Sequence, residues 1–158
     1  MSGLDSIGSR RIRALRDEGR HEEAQGLALQ LAAADPMDAQ LQFEAACVHD
    51  YLGMEAQAVP FYLAALKGEK LTADHRREAL LGLGSTYRTL GRHAEAEQTL
   101  LQGLAEFPEA RELEVFLAMT LHNFGQGKRA VELLLGIVAA TSSDPGIQAY
   151  CRAIELYA

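Results

Sequence analysis

Five histidines and two cysteines are the side chains in this sequence whose types suit nucleophilic or metal chemistry. Cys47 and His49 stand two residues apart, so on a helix they point to different sides and the imidazole cannot serve the thiol as a base. Asp50 adds negative charge close to Cys47, which raises a thiol pKa and weakens the nucleophile. His49 falls where a packed aromatic recurs later in the chain, at Tyr87, which predicts a packing role. His21 and His93 each follow a glycine by two residues, and His75 stands beside Arg76 and Arg77. None of them has a second ligand at metal spacing, and no His-Glu-x-x-His, Cys-x-x-Cys or phosphate-binding glycine loop occurs. Gly125-Gln126-Gly127 has the glycine spacing that opens a dinucleotide loop, but it lies between two helical stretches rather than after a strand. Cys47 and Cys151 are too far apart for a metal knuckle and too few for a disulfide scaffold, which predicts reduced thiols. The expectation is a protein with no catalytic centre, no cofactor and no metal. One enzymatic alternative stays open, a small hydrolase or transferase using Asp50, His122 and Asn123.

The elements that must position these residues are helices. With 24 Leu and 26 Ala among 158 residues, no Trp and only five Phe and five Tyr, the composition favours helix over strand. There is enough apolar material for one ordinary domain, and no apolar run long enough to cross a bilayer. Residues 1 to 14 lack the apolar core of a secretory signal, so the expected compartment is the cytoplasm. The net charge of −7 excludes partners recognised mainly through phosphates, both nucleic acid and anionic membrane. Arg10, Arg11, Arg13 and Arg16 form a local basic cluster, but Asp17, Glu18, Glu22 and Glu23 follow at once, as on a solvated helix face.

The helical pattern repeats. Gly19, Gly53, Gly91 and Gly125 each have an alanine five residues on (Ala24, Ala58, Ala96, Ala130), and the glycines are spaced by 34, 38 and 34 residues. Each glycine separates two amphipathic stretches, where one helix stops and the next begins almost at once. Pro36 and Pro108 each follow a glycine by 17 residues and close the second stretch. The four additional residues between the second and third units fall around 71–74, where Thr72 can cap and Asp74 suits a first turn, so one added helical turn is expected. Pro60, early in a second helix, is expected to be tolerated.

This pattern resembles the tetratricopeptide repeat, a helix-turn-helix unit of about 34 residues. The third unit matches most fully, with Leu83-Gly84, Tyr87, Leu90-Gly91, Ala96, Leu100, Leu104 and Pro108. The second keeps Ala46, Leu52-Gly53, Ala58 and Tyr62; the fourth keeps Leu117-Ala118, Phe124-Gly125, Ala130 and Leu134; the first keeps Ile12, Leu15, Gly19, Ala24 and Pro36. The resemblance implies an all-α fold of small bacterial type, a right-handed superhelix of about four helix pairs. The expected repeats are 5–38, 39–72, 77–110 and 111–144 of one domain spanning 1–158, closed by a capping helix over 145–158 that covers the open end of the fourth unit. Ile147, Tyr150, Cys151, Ile154 and Ala158 are expected on its covered side.

In such a solenoid the first helix of each unit lines the inner surface. The expected lining is Arg13, Arg16 and Asp17 from the first unit and Gln40, Phe43, Cys47, Asp50 and Tyr51 from the second. The third supplies Glu78, Leu81, Ser85, Arg88 and Thr89, and the fourth Glu112, Val115, Met119, His122 and Asn123. Phe43, Leu81, Val115 and Met119 form an apolar floor, and the polar groups give direction, a composition suited to a peptide or a partner helix. Some relatives hold a C-terminal carboxylate with Lys and Asn on the first helices. Ser9, Arg13, Glu44, Glu78 and Gly82 occupy the corresponding places and do not reproduce that clamp. The function implied is a protein-interaction module. A homodimer through the C-terminal helix, where Leu156 and Tyr157 lie off the covered side, and a purely structural role are the other readings.

Overall fold

The computed structural model describes residues 6–158. The expected start of the first repeat at residue 5, and the first five positions of the segment weighed as a signal, lie outside the described residues. Eight helices form four consecutive pairs: α1 (Ile7–Asp17) with α2 (His21–Ala34), α3 (Ala39–Tyr51) with α4 (Glu55–Lys67), α5 (Ala73–Thr89) with α6 (His93–Glu106), and α7 (Arg111–Asn123) with α8 (Gly127–Thr141). Two short helices, α9 (Pro145–Ala149) and α10 (Cys151–Glu155), follow.

The turn inside each pair has one geometry. At the first, Gly19 has φ 76°, its N–H donates to Arg16 O at 3.0 Å, and the next N–H, of Arg20, donates to Leu15 O at 2.8 Å. This doubly bonded ending satisfies two carbonyls that the helix leaves open, and it requires the left-handed backbone that glycine adopts without a Cβ penalty. The same pair of bonds recurs at Gly53, Gly91 and Gly125. The second helices therefore start without a side-chain cap. Side-chain caps occur instead at α1, α3, α5 and α9, where Ser6 accepts from Ser9 N, Asp38 from Gln40 N and Leu41 N, Thr72 from His75 N, and Asp144 from Ile147 N, while α7 starts at Ala110 without one.

The alanine five residues past each glycine is buried in every unit, Ala24, Ala58 and Ala96 at 0% exposure and Ala130 at 3%. Gly84 permits a similar approach, since a Cβ there would stand 2.6 Å from Leu100 Cγ. The core is serial. One cluster joins pairs one and two through Ile12, Ala28, Leu41 and Val48; a second joins pairs two and three through Phe43, Tyr62, Leu83 and Tyr87. A third joins pairs three and four through Leu100, Leu113 and Leu117. First helices pack on one another along the stack, whereas second helices pack on the first helix of the next pair. The row of first helices is the more closely spaced one, and so forms the inside of the curve.

The added turn lies in α5, which has 17 residues against 13 in α3 and in α7. Its third helical pair thus begins at Ala73, ahead of the repeat start expected at residue 77. The turn carries Arg76, whose Nη1 donates to Leu66 O at 2.9 Å and whose Nε and Nη2 meet the Glu106 carboxylate at 2.5 and 2.9 Å. Pro60 sits inside α4 without ending it.

The C-terminal cap is split at Tyr150 into two five-residue helices. It lies along the far half of α8, with Cys151 Sγ 3.6 Å from Ala139 O and Ala158 next to Gly136. Tyr150, expected on the covered side, is 71% exposed. The break turns that ring outward, because neither five-residue piece is long enough to bury a continuous stripe.

Candidate functional site

The inner face is built from α1, α3, α5 and α7, and its character changes along the stack. In the first two pairs the polar groups are committed to one another. Glu44 has no exposed surface; Arg13 Nε lies 3.0 Å from its Oε1 and Arg16 Nη1 3.7 Å from its Oε2. Gln40 Nε2 donates to the same carboxylate at 3.1 Å, and Gln40 Oε1 accepts from His75 Nδ1 at 2.8 Å. A buried carboxylate demands such compensation. Arg13 and Arg16 therefore hold α1 to α3 instead of standing free for an acidic ligand.

Phe43 is placed in the core, not on the groove floor: it is 4% exposed, with the His75 ring stacked over it at 4.9 Å. Gln40 is likewise buried. The added turn of α5 brings His75 into this position, and the offset of 38 residues was the available sign that the third first-helix reaches further than its neighbours. The Cys47 thiol is pushed up to about 12, first by burial and then by the charge of Glu44, so it is a protonated, poor nucleophile.

Asp50 is a strut between pairs. Tyr62 Oη donates to its Oδ2 at 3.1 Å, and Thr86 Oγ1 lies 3.0 Å from its Oδ1 and 2.8 Å from Gly82 O. Burial raises the Asp50 carboxyl above its ordinary value, against the pull of these two donors. Tyr62 is also raised, by burial first and then by Cys47 and Asp50. The hydroxyl fits only because residue 82 has no side chain, since a Cβ there would stand 2.4 Å from it. Of the groups of the hydrolase alternative, Asp50 is held by Tyr62 and Thr86, while Asn123 Oδ1 accepts from Arg88 Nη1 at 3.3 Å. His49 is buried as a packing residue, with Nδ1 2.7 Å from Ala45 O and its ring stacked on Phe61.

Further along, the inner face opens. Tyr51 is 65% exposed and Met119 39%. Glu78, Thr89 and His122 are exposed, and Leu81, Ser85 and Val115 are half-buried beside them. Glu112 pairs with Arg77 Nε at 3.3 Å, a cation absent from the sequence-derived set because the added turn shifts its register. Of the expected lining, the accessible part is thus carried by α5 and α7, with Tyr51 at its edge. Two cavities, of about 490 Å³ between α7 and α8 and about 330 Å³ among α4, α5 and α6, are lined by other residues. Among the described residues, no cluster of three or more His, Cys, Asp or Glu has the arrangement to hold a metal.

Comparison with known proteins agrees with this architecture. Residues 39–158 match the model of the family described as tetratrico peptide repeat. A stretch of 88 residues, 56% of this chain, is 35% identical to a protein O-mannosyl-transferase of Homo sapiens, of which it spans 9%. The crystal structure of MamA superposes with a TM-score of 0.71 over 96% of this chain and 92% of that one, at 14% identity, a likeness of fold.

Proposed function

Since the chain belongs to the tetratricopeptide-repeat family, we propose that it is a protein-interaction module whose inner face receives a peptide or a partner helix without catalysis. The observation that carries this reading is the contrast along that face. Arg13 and Arg16 are tied to Glu44, whereas Tyr51, Glu78, Met119 and His122 stand exposed around half-buried Leu81, Ser85 and Val115. An apolar floor with a few directional groups on two adjacent rigid helices is the makeup of a recognition surface. The site is therefore narrower than the full lining expected from the sequence, and centres on α5 and α7.

The proposed units are the four helix pairs, each ending in its own loop, with 145–158 as cap. No described helix is long and apolar enough to cross a membrane; the proposed compartment is the cytoplasm. Self-association through the C-terminal end belongs to the same reading, supported by the exposure of Leu156 at 85% and Tyr157 at 80%.

The test is affinity capture with wild type and with a Leu81→Glu, Met119→Glu, His122→Ala variant, compared by quantitative mass spectrometry. The expected result is loss of specific partners at unchanged circular dichroism. Retention of the same partners at the same yield would sink the inner-face model.

A further inference from the structure

We propose that α8 is the contact surface of a two-fold symmetric dimer, in which Val131, Leu134 and Val138 of one copy pack on the same strip of a second; this rests on the self-association proposed above but places the contact on α8 rather than at Leu156 and Tyr157. The repeat supplies the argument. Counted from the turn glycines, Val131, Leu134 and Val138 occupy the places of Gln25, Ala28 and Ala32 in α2, Val59, Tyr62 and Leu66 in α4, and Glu97, Leu100 and Leu104 in α6. In each inner pair this strip is covered by the first helix of the next pair: Ala28 is 0% exposed, Tyr62 3% and Leu100 0%. At the end of the stack the strip is equally apolar, but Val131 is 55% exposed, Leu134 40% and Val138 37%. The cap does not take over, since α10 and Ala158 reach Ala139 and Gly136 on another side of α8. This is the surface of an interface that the molecule forms three times over, left without its partner among the described residues.

The other end of the chain cannot fill it. Where α3, α5 and α7 present buried Ala45, Leu83 and Leu117 to the preceding pair, α1 has exposed Arg11. Head-to-tail stacking would press a guanidinium onto the apolar strip, with a desolvation penalty and no acceptor. Pairing α8 with α8 avoids this. The spacing i, i+3, i+7 makes one continuous seam, and an isologous contact uses the same patch twice. With the two-fold axis between Leu134 and Leu135, antiparallel helices set Val131 against Val138 of the second copy. Lys128, whose side chain is 90% exposed, then lies by the last turn of the opposite α8, where the helix carbonyls are negative.

Sedimentation equilibrium on the whole chain, from low to high micromolar protein, tests this. Wild type should approach twice 17.2 kDa, and Val131→Glu with Leu134→Glu should stay at the single mass at every concentration. A Leu156→Glu, Tyr157→Glu variant should still dimerise. Helical circular dichroism checks the fold, and if the double variant unfolds, Val131→Glu alone is read in its place. Wild type staying at the single mass would overturn self-association and this surface with it. A dimer indifferent to the α8 changes but dissolved by those at Leu156 and Tyr157 would leave self-association standing and overturn the α8 contact. A mass that keeps climbing past two copies would overturn the two-fold symmetry.

Discussion

Glu44 is a carboxylate with no exposed surface, facing Arg13 and Arg16 from the neighbouring first helix. Replacing it with Gln keeps the shape but removes the charge that both guanidinium groups are set against. Urea unfolding should show a loss of about 1.5–3 kcal/mol, the range for hydrogen bonds to charged groups. Gly82→Ala should destabilise by a similar 1–3 kcal/mol or so, because the new Cβ meets the buried Tyr62 hydroxyl, and Tyr62→Phe in the same chain should recover part of it. Cys47, with its thiol pushed up to about 12, should stay silent to a thiol reagent near neutral pH until the chain is unfolded. Spacing alone assigned residues to the inner row of helices, but it did not separate Tyr51 and Met119, which are exposed, from Phe43 and Gln40, which are buried, and it passed over Arg77. Periodicity says which side of a helix a residue occupies. It does not say that Glu44 reaches across to two arginines, or that His75 roofs Phe43, because those contacts join residues from different units.

At the scale of the element, the four glycine turns and the added turn of α5 were both readable, since each follows from backbone chemistry and counting. What the added turn does was not, because its partners lie on helices before and after it. Arg76 joins the end of α4, at Leu66 O, to Glu106 at the end of α6. The Arg76 guanidinium holds the Glu106 carboxyl below its ordinary 4.5. A carboxyl lowered by folding stabilises fully above that ordinary value, and the contribution fades as pH falls through the folded value. Glu106→Gln should therefore lower the thermal midpoint at neutral pH, by the equivalent of about 1 kcal/mol or less for so exposed a pair. The difference should vanish near the acid limit, as differential scanning calorimetry across the pH range would show. The continuous capping helix expected over 145–158 is two short pieces, since no neighbouring pair covers its outer side and its apolar residues give it little to bury.

The whole molecule is a one-dimensional stack in which each core cluster joins only neighbouring pairs, and stability in such a stack is lowest where an end has one neighbour instead of two. At protein concentrations low enough to keep a single copy, hydrogen exchange should find the amides of α8, α9 and α10 open before those of α5 and α6, since only Ala130 and Ala139 are buried in α8 and nothing is buried in the last two helices. In the proposed reading, recognition falls to the accessible stretch of inner face on α5 and α7. Placing a photo-crosslinking residue at Met119 or Ser85 on that face, or at Leu101 on the outer one, asks directly which side meets the partner. Crosslinks to a common partner segment from Met119 and Ser85, with none from Leu101, are the predicted result; equal crosslinking from Leu101, or crosslinks from Leu101 alone, would contradict it.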